Sequence, residues 1–423
     1  MFLDCQSCRQ YDPVTGLHNR TISVTQVNVT AGVPASFPDS RMRMHYAGGA
    51  QCTFVTLEDM NNPDANVVAI PSSPVQLLTS TPVAATAQYF GINTGEIGLT
   101  TPPNPMPGYP FGTVRSHDTD GITWRDINTS DEVYDWALMD LWVDTHYTAG
   151  RDIIYVVYQT PTWASARPAD VGPYGSGGFN AEPASMTTLS TFVTTLINRY
   201  NGKIKYLEVS NEPNFEVGGV RFYSGTVEKL SEMTRVINQA AKAIDPTIKI
   251  ISASVTNIDN SPPAAAPDVA ATYFAAMMAA SDGAAGIMSD WVDVIGVHLY
   301  GTEPNMVTRI NAAKTMRTNA GLGALQIFDT ETGVNAVATM SDYNLFVQLV
   351  RLLLIPLCLG ISKQCYYALG KHNISGYSLA NRPIVLNSLS ILINDVINYG
   401  ITSAGFLSDG RISFKINNIN YIV

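Results

Sequence analysis

The sequence has few cysteines, few charged residues and no long hydrophobic run. Five cysteines among 423 residues are too few and too scattered for a disulfide framework. The pair Cys5 and Cys8 has the Cys-x-x-Cys spacing of a metal or redox site, but no second Cys or His pair follows at the spacing of a zinc finger. We therefore expect incidental thiols, no metal and no cofactor.

Basic residues are scarce as well, since 25 Lys and Arg stand against 35 Asp and Glu, a formal net charge of −10. This disfavours nucleic acid as a partner, because phosphate binding needs a basic surface. The most apolar stretch, residues 345–361, contains Gln348, Arg351 and Pro356. It predicts an amphipathic helix and no membrane span, because it is too short to cross a bilayer. The first residues, MFLDCQSC, lack the basic and apolar segments of a signal peptide, so none is predicted.

An apolar fraction of 46% with only 14% charged residues indicates a large buried core. Residues 1–85 contain short alternating apolar and polar runs between Pro- and Gly-rich breaks, which predict a small antiparallel β module. A binding or attachment role and a plain packing role are equally good interpretations of this module. Residues 401–423 predict a β meander, which we expect to complete a sheet with the N-terminal strands.

Between residues 86 and 400 the pattern becomes strand, loop and helix, repeated eight times. This is typical of an α/β fold of the (β/α)8 barrel type, with residues 86–400 as the catalytic barrel. Among the helices we expect one capped by Asp131 and running to about Thr148, one capped by Ser185, and a closing helix at residues 383–399. The predicted strands are residues 88–93, 112–118, 152–159, 204–209, 248–254, 292–300, 325–331 and 363–369.

Two glutamates follow buried strands of this pattern, Glu212 after strand four and Glu331 at the end of strand seven. Active sites of (β/α)8 barrels lie at the carboxyl ends of the strands, so we expect the two side chains to lie close together. Two carboxyl groups about 5–5.5 Å apart are the machinery of a retaining glycosidase. Glu212 is the better acid/base, because the adjacent Asn211 can bind a sugar 2-hydroxyl.

Further polar side chains lie at other strand ends. Arg115, at the end of strand two, is the cation expected to keep Glu331 ionised, although a structural ion pair is the alternative. His298 and Tyr300 alternate with apolar residues on strand six, so both could face the barrel mouth. The competing interpretation is a hydrogen-bonded core histidine and a tyrosine at the rim.

Three more candidates for substrate binding are His117, Trp163 and Lys371. His117 follows strand two and could line the mouth of the barrel. Trp163 follows strand three and could stack on a sugar face, or it could pack beneath its loop. Lys371 follows strand eight and could contact an acidic sugar, although such residues are more often simply solvated.

Several motifs together resemble clan A of the glycoside hydrolases, most closely glycoside hydrolase family 39. That family includes β-xylosidases, α-L-iduronidases and biofilm-exopolysaccharide hydrolases. The resemblance implies a barrel fold, Glu212 as acid/base and Glu331 as nucleophile. Ser210 departs from the family, where an aromatic residue is common, and Tyr367 stands near the position of a tryptophan beneath the sugar. The matching segments are Asn-Glu-Pro at 211–213, Thr-Glu-x-Gly at 330–333, and residues 114–124, 134–140, 159–165 and 198–214.

These observations predict a retaining O-glycoside hydrolase that acts on a polysaccharide or oligosaccharide. Our preferred version is an endo-acting depolymerase of bacterial exopolysaccharide or capsule. It would be phage-associated, with residues 1–85 attaching it to a virion or cell surface. The alternative class is a non-catalytic carbohydrate-binding or structural, tail-type protein on a barrel scaffold. The presence of both Glu212 and Glu331 favours the enzyme.

Overall fold

The computed structural model describes short strands within residues 8–79 and most of the chain from residue 81 onward. The described segments there are residues 81–94, 110–256, 270–301, 305–334, 337, 339–369, 378–379, 382–407, 410–417 and 419–423. They divide into two compact units. The barrel unit is Thr86–Met340 with Gly360–Asn381, and the β-rich unit is the chain up to Ala85 with Ser341–Leu359 and Arg382–Val423. The domain limits drawn from the sequence at residues 85 and 400 stay a prediction.

Eight parallel strands of the barrel unit close into a barrel, and the helices between them in sequence make the fold a (β/α)8 barrel, as predicted. Each strand pairs with the next along the chain, and the last, β20, pairs with the first, β7. The barrel strands are β7 (Phe90–Asn93), β8 (Thr113–Arg115), β11 (Asp152–Val156), β14 (Tyr206–Glu208), β17 (Lys249–Ile251), β18 (Val294–His298), β19 (Gln326–Thr332) and β20 (Lys363–Tyr366).

Strands β11 and β18 are nearly continuous apolar runs, as expected of strands buried on both faces, and every residue in them is buried. One buried cluster takes a residue from each of five strands: Ile154, Ile251, Val294, Phe328 and Cys365. Most observed strands are shorter than the predicted runs, because the chain leaves the ladder at their carboxyl ends to form loops. These loops carry the candidate site.

Two helices of the barrel unit, α3 and α4, begin at a residue whose side chain caps them. The Ser185 hydroxyl accepts from the Thr187 amide, as predicted, and the Thr226 hydroxyl accepts from the Lys229 amide. Among the described residues of this unit the α-helices are α1 (Trp124–Ile127), α2 (Ala137–Thr148), α3 (Met186–Arg199), α4 (Val227–Lys242), α5 (Ala270–Ala279) and α6 (Asn305–Asn319).

The prediction that Asp131 caps a helix is wrong. Asp131 lies in the turn of a small hairpin, β9 (Asn128–Ser130) with β10 (Val133–Tyr134), and α2 begins only at Ala137. The Asn128 side-chain amide donates to the carbonyls of Ser130 and Val133 at 2.7 and 3.2 Å, which stabilises the turn instead of a helix.

Two further hairpins lie in loops that follow barrel strands. The loop after β11 contains β12 (Val171–Gly172) and β13 (Gly175–Ser176). The loop after β14 contains β15 (Glu216–Val217) and β16 (Val220–Arg221).

The β-rich unit contains a four-stranded sheet in which one N-terminal strand pairs with the C-terminal strands. Its order is β23, β22, β21, β6, with Gly405 of β21 opposite Leu77 of β6. The buried face carries Ala404, Phe414 and Ile416. The strands are β6 (Gln76–Thr79), β21 (Ile401–Phe406), β22 (Ile412–Ile416) and β23 (Ile419–Ile422), and the unit also contains α7 (Asp342–Cys358) and α8 (Pro383–Tyr399).

The other strands of this unit pair among themselves as β1 with β2 and as β3 with β4 and β5. Their bounds are β1 (Cys8–Tyr11), β2 (His18–Ile22), β3 (Ala35–Ser36), β4 (Met42–His45) and β5 (Thr56–Asp59). Helix α7 matches the predicted amphipathic helix, and among the described residues no helix has the length and apolarity needed to span a bilayer.

Candidate active site

Glu212 and Glu331 lie together at the carboxyl ends of β14 and β19. Their carboxylate oxygens, with a ring nitrogen of His298, lie within 4.8 Å of one another. Both glutamates are buried, with 8% and 6% of their surface exposed. The opposed strands therefore bring the two carboxylates as close as the sequence analysis expected.

Backbone geometry is unusual at the ends of three neighbouring strands. Asp118, Gln159 and Glu212 have φ values of +58°, +61° and +42°, although none is a glycine. Such values are costly for side-chain-bearing residues and persist where the surroundings impose them, often at functional sites. At Glu212 the backbone amide donates to the Ser254 carbonyl at 2.9 Å, which fixes this conformation.

Glu331 accepts two strong hydrogen bonds. Arg115 Nη1 donates to its Oε2 at 2.7 Å, and the Tyr300 hydroxyl donates to its Oε1 at 2.8 Å. Burial raises the pKa of the Glu331 carboxyl above its ordinary value, and the charges of His298 and Arg115 oppose that rise. Arg115 thus lies where the sequence analysis expected it, but the pKa of Glu331 still moves upward.

Glu212 shares a hydrogen bond with His298, whose Nδ1 lies 2.7 Å from Glu212 Oε1. Burial lowers the pKa of His298, but the negative charge of Glu331 and the bond to Glu212 outweigh it, and the net pKa is raised. One proton therefore lies in the hydrogen bond between Nδ1 and Oε1. A proton held in this way is available to a general acid.

The opposite side of Arg115 is bound by Glu208, which the sequence analysis did not single out. Arg115 Nε and Nη2 donate to the two Glu208 oxygens at 2.7 and 2.9 Å, and both side chains are fully buried. Ser254 and Thr330 also donate to Glu208. The signal for Glu208 was present in the sequence, because it is a carboxylate within an otherwise apolar strand.

Asn211 Oδ1 accepts from Arg115 Nη2 at 2.9 Å, so the free donor of this amide is its Nδ2 group. The same guanidinium thus orients Glu331, Glu208 and Asn211. Arg115 acts as a rigid fork, which is the geometry that suits arginine to carboxylates.

A group of aromatic side chains surrounds His117. Its Nε2 lies 3.7 Å from Glu331 Oε2 and 3.5 Å from Asp118 Oδ2. The Tyr367 hydroxyl donates to Asp118 Oδ2 at 2.7 Å, and the Tyr158 hydroxyl donates to Asp118 Oδ1 at 3.2 Å. Tyr367 is therefore at the site but buried, and its hydroxyl anchors the Asp118 carboxylate.

The two remaining candidates lie elsewhere. Trp163 is 38% exposed, and its Nε1 donates to the Asn128 carbonyl at 2.9 Å, which fixes the indole in the loop after β11. Within the described part of the chain no hydrogen bond joins Trp163 to Glu212 or Glu331. Lys371 lies outside the described residues.

The triad of Glu212, His298 and Glu331 has the donor types of a metal site. Its surroundings disfavour a cation, because the Arg115 guanidinium lies 2.7 Å from Glu331 Oε2. In addition, His298 Nδ1 is already bonded to Glu212. The arrangement suits acid–base and nucleophilic chemistry better than metal binding.

The sequence matches no protein-family profile and no curated protein. Solved structures do match. A GH39 beta-xylosidase from Caulobacter crescentus is 16% identical with a TM-score of 0.55, covering 80% of this chain and 79% of its own. The GH39 enzyme from Xanthomonas axonopodis pv. citri is also 16% identical with a TM-score of 0.55, covering 83% of this chain and 74% of its own. The chain therefore shares its barrel fold with these two enzymes.

Proposed function

We propose that this protein is a retaining glycoside hydrolase in which Glu331 is the nucleophile and Glu212 the acid/base. The observation that carries the proposal is the approach of the two carboxylates to within 4.8 Å. Retaining enzymes hold their two carboxyl groups about 5–5.5 Å apart, whereas inverting enzymes need about 6.5–9.5 Å to admit a water.

In the first step a Glu331 oxygen attacks the anomeric carbon, and the bond from that carbon to the leaving oxygen breaks. The leaving oxygen takes the proton shared by Glu212 Oε1 and His298 Nδ1, 2.7 Å apart. In the second step Glu212 removes a proton from water, and the resulting hydroxide displaces Glu331 from the anomeric carbon. The two displacements together retain the configuration.

The neighbours of Glu331 fit the nucleophilic role. The hydrogen bonds from Arg115 and Tyr300 hold the carboxylate in one orientation and stabilise its charge before attack. When Glu331 becomes an ester it loses that charge, so the pKa of His298, raised in part by Glu331, falls. A fall in that pKa releases the shared proton when the leaving oxygen needs it.

We propose a polysaccharide or oligosaccharide as the substrate. The similar Caulobacter protein is a beta-xylosidase, which supports a pyranoside as the glycone. More specifically, the sequence analysis favours an endo-acting depolymerase of bacterial exopolysaccharide or capsule, and we propose this activity. In such an enzyme residues 1–85 would attach the barrel to a virion or cell surface.

The test is chemical rescue of Glu212→Ala on aryl glycosides with good leaving groups. These substrates do not need the acid, so the variant should form the glycosyl-enzyme and then stall, because no base activates water. Added azide should restore turnover and yield a glycosyl azide of retained configuration. The control is Glu228→Ala, since Glu228 is an exposed carboxylate on α4.

Wild-type hydrolysis that Glu212→Ala leaves unchanged would contradict the assignment of the acid/base. Binding of polysaccharide by the wild type with no turnover would instead favour the non-catalytic class. An azide product of inverted configuration would contradict the double displacement.

A further inference from the structure

Three half-buried aromatic side chains form a continuous surface beside the carboxylate pair, which we call the aromatic wall: Tyr174, Phe215 and Phe222. The rings of Tyr174 and Phe222 have centroids 5.5 Å apart, and those of Phe222 and Phe215 are 5.7 Å apart with planes tilted by 32°. Each of the three residues is of intermediate burial, between the core and the exposed surface.

Both ends of the aromatic wall reach the candidate active site. At one end the Tyr174 hydroxyl lies 3.4 Å from His117 Nε2, and His117 in turn lies 3.7 Å from Glu331. At the other end the Phe215 amide donates to the Glu212 carbonyl at 3.0 Å. The Tyr174 end of the wall is thus linked to Glu331 through His117, and the Phe215 end is joined to Glu212 through the backbone.

The hairpin after β14 holds two of the three rings in place. The Phe222 amide donates to the Phe215 carbonyl at 3.2 Å, at the base of the β15–β16 hairpin. Gly218 and Gly219 form its turn with φ values of +59° and +84°, which a two-residue type I′ turn requires.

Side chains of the loop after β11 bind the same hairpin. Asn180 Nδ2 donates to the Arg221 carbonyl at 2.9 Å. Arg167 binds Glu182 through two hydrogen bonds at 2.7 and 2.8 Å and also reaches the Ser224 hydroxyl at 2.9 Å. The wall is thus fixed before substrate arrives, and a fixed surface costs less conformational entropy on binding.

We infer that the aromatic wall is the binding site for the leaving group, namely the sugar ring on the far side of the scissile bond. This inference rests on the proposed function. The acid/base must touch the leaving oxygen, so the leaving sugar lies beside Glu212 and beside the loop that carries Phe215 and Phe222. A pyranose presents a face of C–H groups, and aromatic rings bury such faces favourably.

The assignment has a chemical consequence in each step. In the first step, stacking of the leaving sugar should lower the barrier for oligosaccharides but not for glycosides whose leaving group has no ring. In the second step, a sugar on the wall can replace water as the acceptor, so that its hydroxyl gives a proton to Glu212 and attacks the anomeric carbon. Hydrolysis is then accompanied by transfer products.

The test compares glycosyl fluorides with the matching oligosaccharides, using xylose, glucose, galactose and mannose as glycones. For the glycone that the wild type hydrolyses fastest, Phe222→Ala should lower kcat/KM on the oligosaccharide at least about tenfold more than on the fluoride. Phe222→Tyr keeps an aromatic ring, so its kcat/KM on the oligosaccharide should be close to that of the wild type. The fraction of transfer product formed with added sugar acceptor should fall in parallel.

Tyr147→Ala serves as the matched control, because Tyr147 is an aromatic residue 50% exposed on α2. If Phe222→Ala lowers kcat/KM equally on the fluoride and on the oligosaccharide, the inference is overturned. The aromatic wall would then serve only to support its loop. A wild type that hydrolyses neither kind of substrate would instead count against the proposed function, and this inference would fall with it.

Discussion

The two ends of the barrel each contain a buried cation, but the charges around them are arranged differently. At the amino ends of the strands, Asp152 lies between two lysines, with Oδ1 2.5 Å from Lys205 Nζ and Oδ2 3.1 Å from Lys363 Nζ. Lys363 also donates to the Gln88 carbonyl and the Thr113 hydroxyl at 2.6 and 2.7 Å. At this end one carboxylate is shared by two cations, and each charged group is hydrogen-bonded.

At the carboxyl ends the balance is reversed. Arg115 binds both Glu208 and Glu331, and His298 binds Glu212, so three carboxylates share two cationic side chains. Glu208 accepts bonds on both oxygens and fully neutralises one side of Arg115. Glu212 and Glu331 are left facing each other, in an arrangement that burial makes unfavourable.

This difference separates stability from chemistry within one barrel. The amino-terminal cluster satisfies its charges, as expected of the end of a barrel that stabilises the fold. The carboxyl-terminal cluster holds two buried carboxylates close together, as the proposed reaction requires. A substitution at the carboxyl ends should therefore lower turnover and leave stability intact. A matched substitution at the amino ends should lower stability and leave turnover intact.

The largest effect is expected for Glu331→Gln, which removes the proposed nucleophile at the crowded end. Turnover should fall by at least about 10⁴-fold. Because burial raises the folded-state pKa of Glu331, its ionisation at neutral pH costs the folded state free energy, and an uncharged Gln removes that cost. Tm measured at neutral pH should be equal to or above that of the wild type. A loss of stability with turnover retained would break the comparison.

Asp152→Asn is the matched change at the amino-terminal end. It removes the carboxylate from between Lys205 and Lys363, and Lys363 is only 4% exposed. Leaving a buried charge without its partner should lower the free energy of unfolding by about 3–5 kcal/mol.

The pH dependence of Asp152→Asn can be given a sign. Burial lowers the pKa of Lys363, so its neutral form favours the folded state, and the loss should shrink as the pH rises. Denaturant unfolding at several pH values measures this.

Below the Tm of Asp152→Asn, its kcat/KM should stay within about twofold of the wild type, because the candidate site lies at the other end of the barrel. A large loss of turnover in the folded variant would contradict the separation of roles.

A smaller effect is expected for Tyr300→Phe, which removes the donor to Glu331 Oε1 at 2.8 Å. A hydrogen bond to a charged group contributes about 1.5–3 kcal/mol and favours the charged form, so without it the pKa of Glu331 should rise further. Activity that requires ionised Glu331 is lost as the pH falls through this pKa. The acidic limb of the kcat/KM profile should therefore move to higher pH, whereas Tyr147→Phe should leave it in place. An unchanged limb would show that Tyr300 does not act on the charge of Glu331.

The smallest effect is expected for Lys205→Met, at the outer edge of the amino-terminal cluster. The Lys205 side chain is 60% exposed. An exposed ion pair contributes less than about 1 kcal/mol, so the free energy of unfolding should change by no more than that. A loss as large as that of Asp152→Asn would mean that Lys205, and not Lys363, is the important partner.

The sequence was sufficient for the barrel and for the core of the candidate site. Apolar runs buried on both faces identify the strands, and the carboxyl ends of parallel strands meet at one edge. The sequence alone therefore predicts that Glu212, Glu331 and Arg115 lie close together. His298 and Tyr300 followed from the alternation of side chains on one strand.

The features that sequence reasoning missed depend on contacts between distant segments. The hairpin that displaces the expected helix at Asp131 is stabilised by one side-chain amide, Asn128. Phe215 and Phe222 form a surface with Tyr174 only because two loops lie together, and no periodicity records this. Glu208 was detectable, but its role depends on Arg115, which lies 93 residues earlier in the chain.

The most direct test of the central claim is the configuration of the first sugar released. Hydrolysis of an aryl glycoside by the wild type should be followed by proton NMR from the first minutes, before the anomers of the free sugar equilibrate. Because an oxygen of Glu212 lies within 4.8 Å of an oxygen of Glu331, the first product should have the anomeric configuration of the substrate. A first product of the opposite configuration would contradict the double displacement and the assignment of Glu331 as nucleophile.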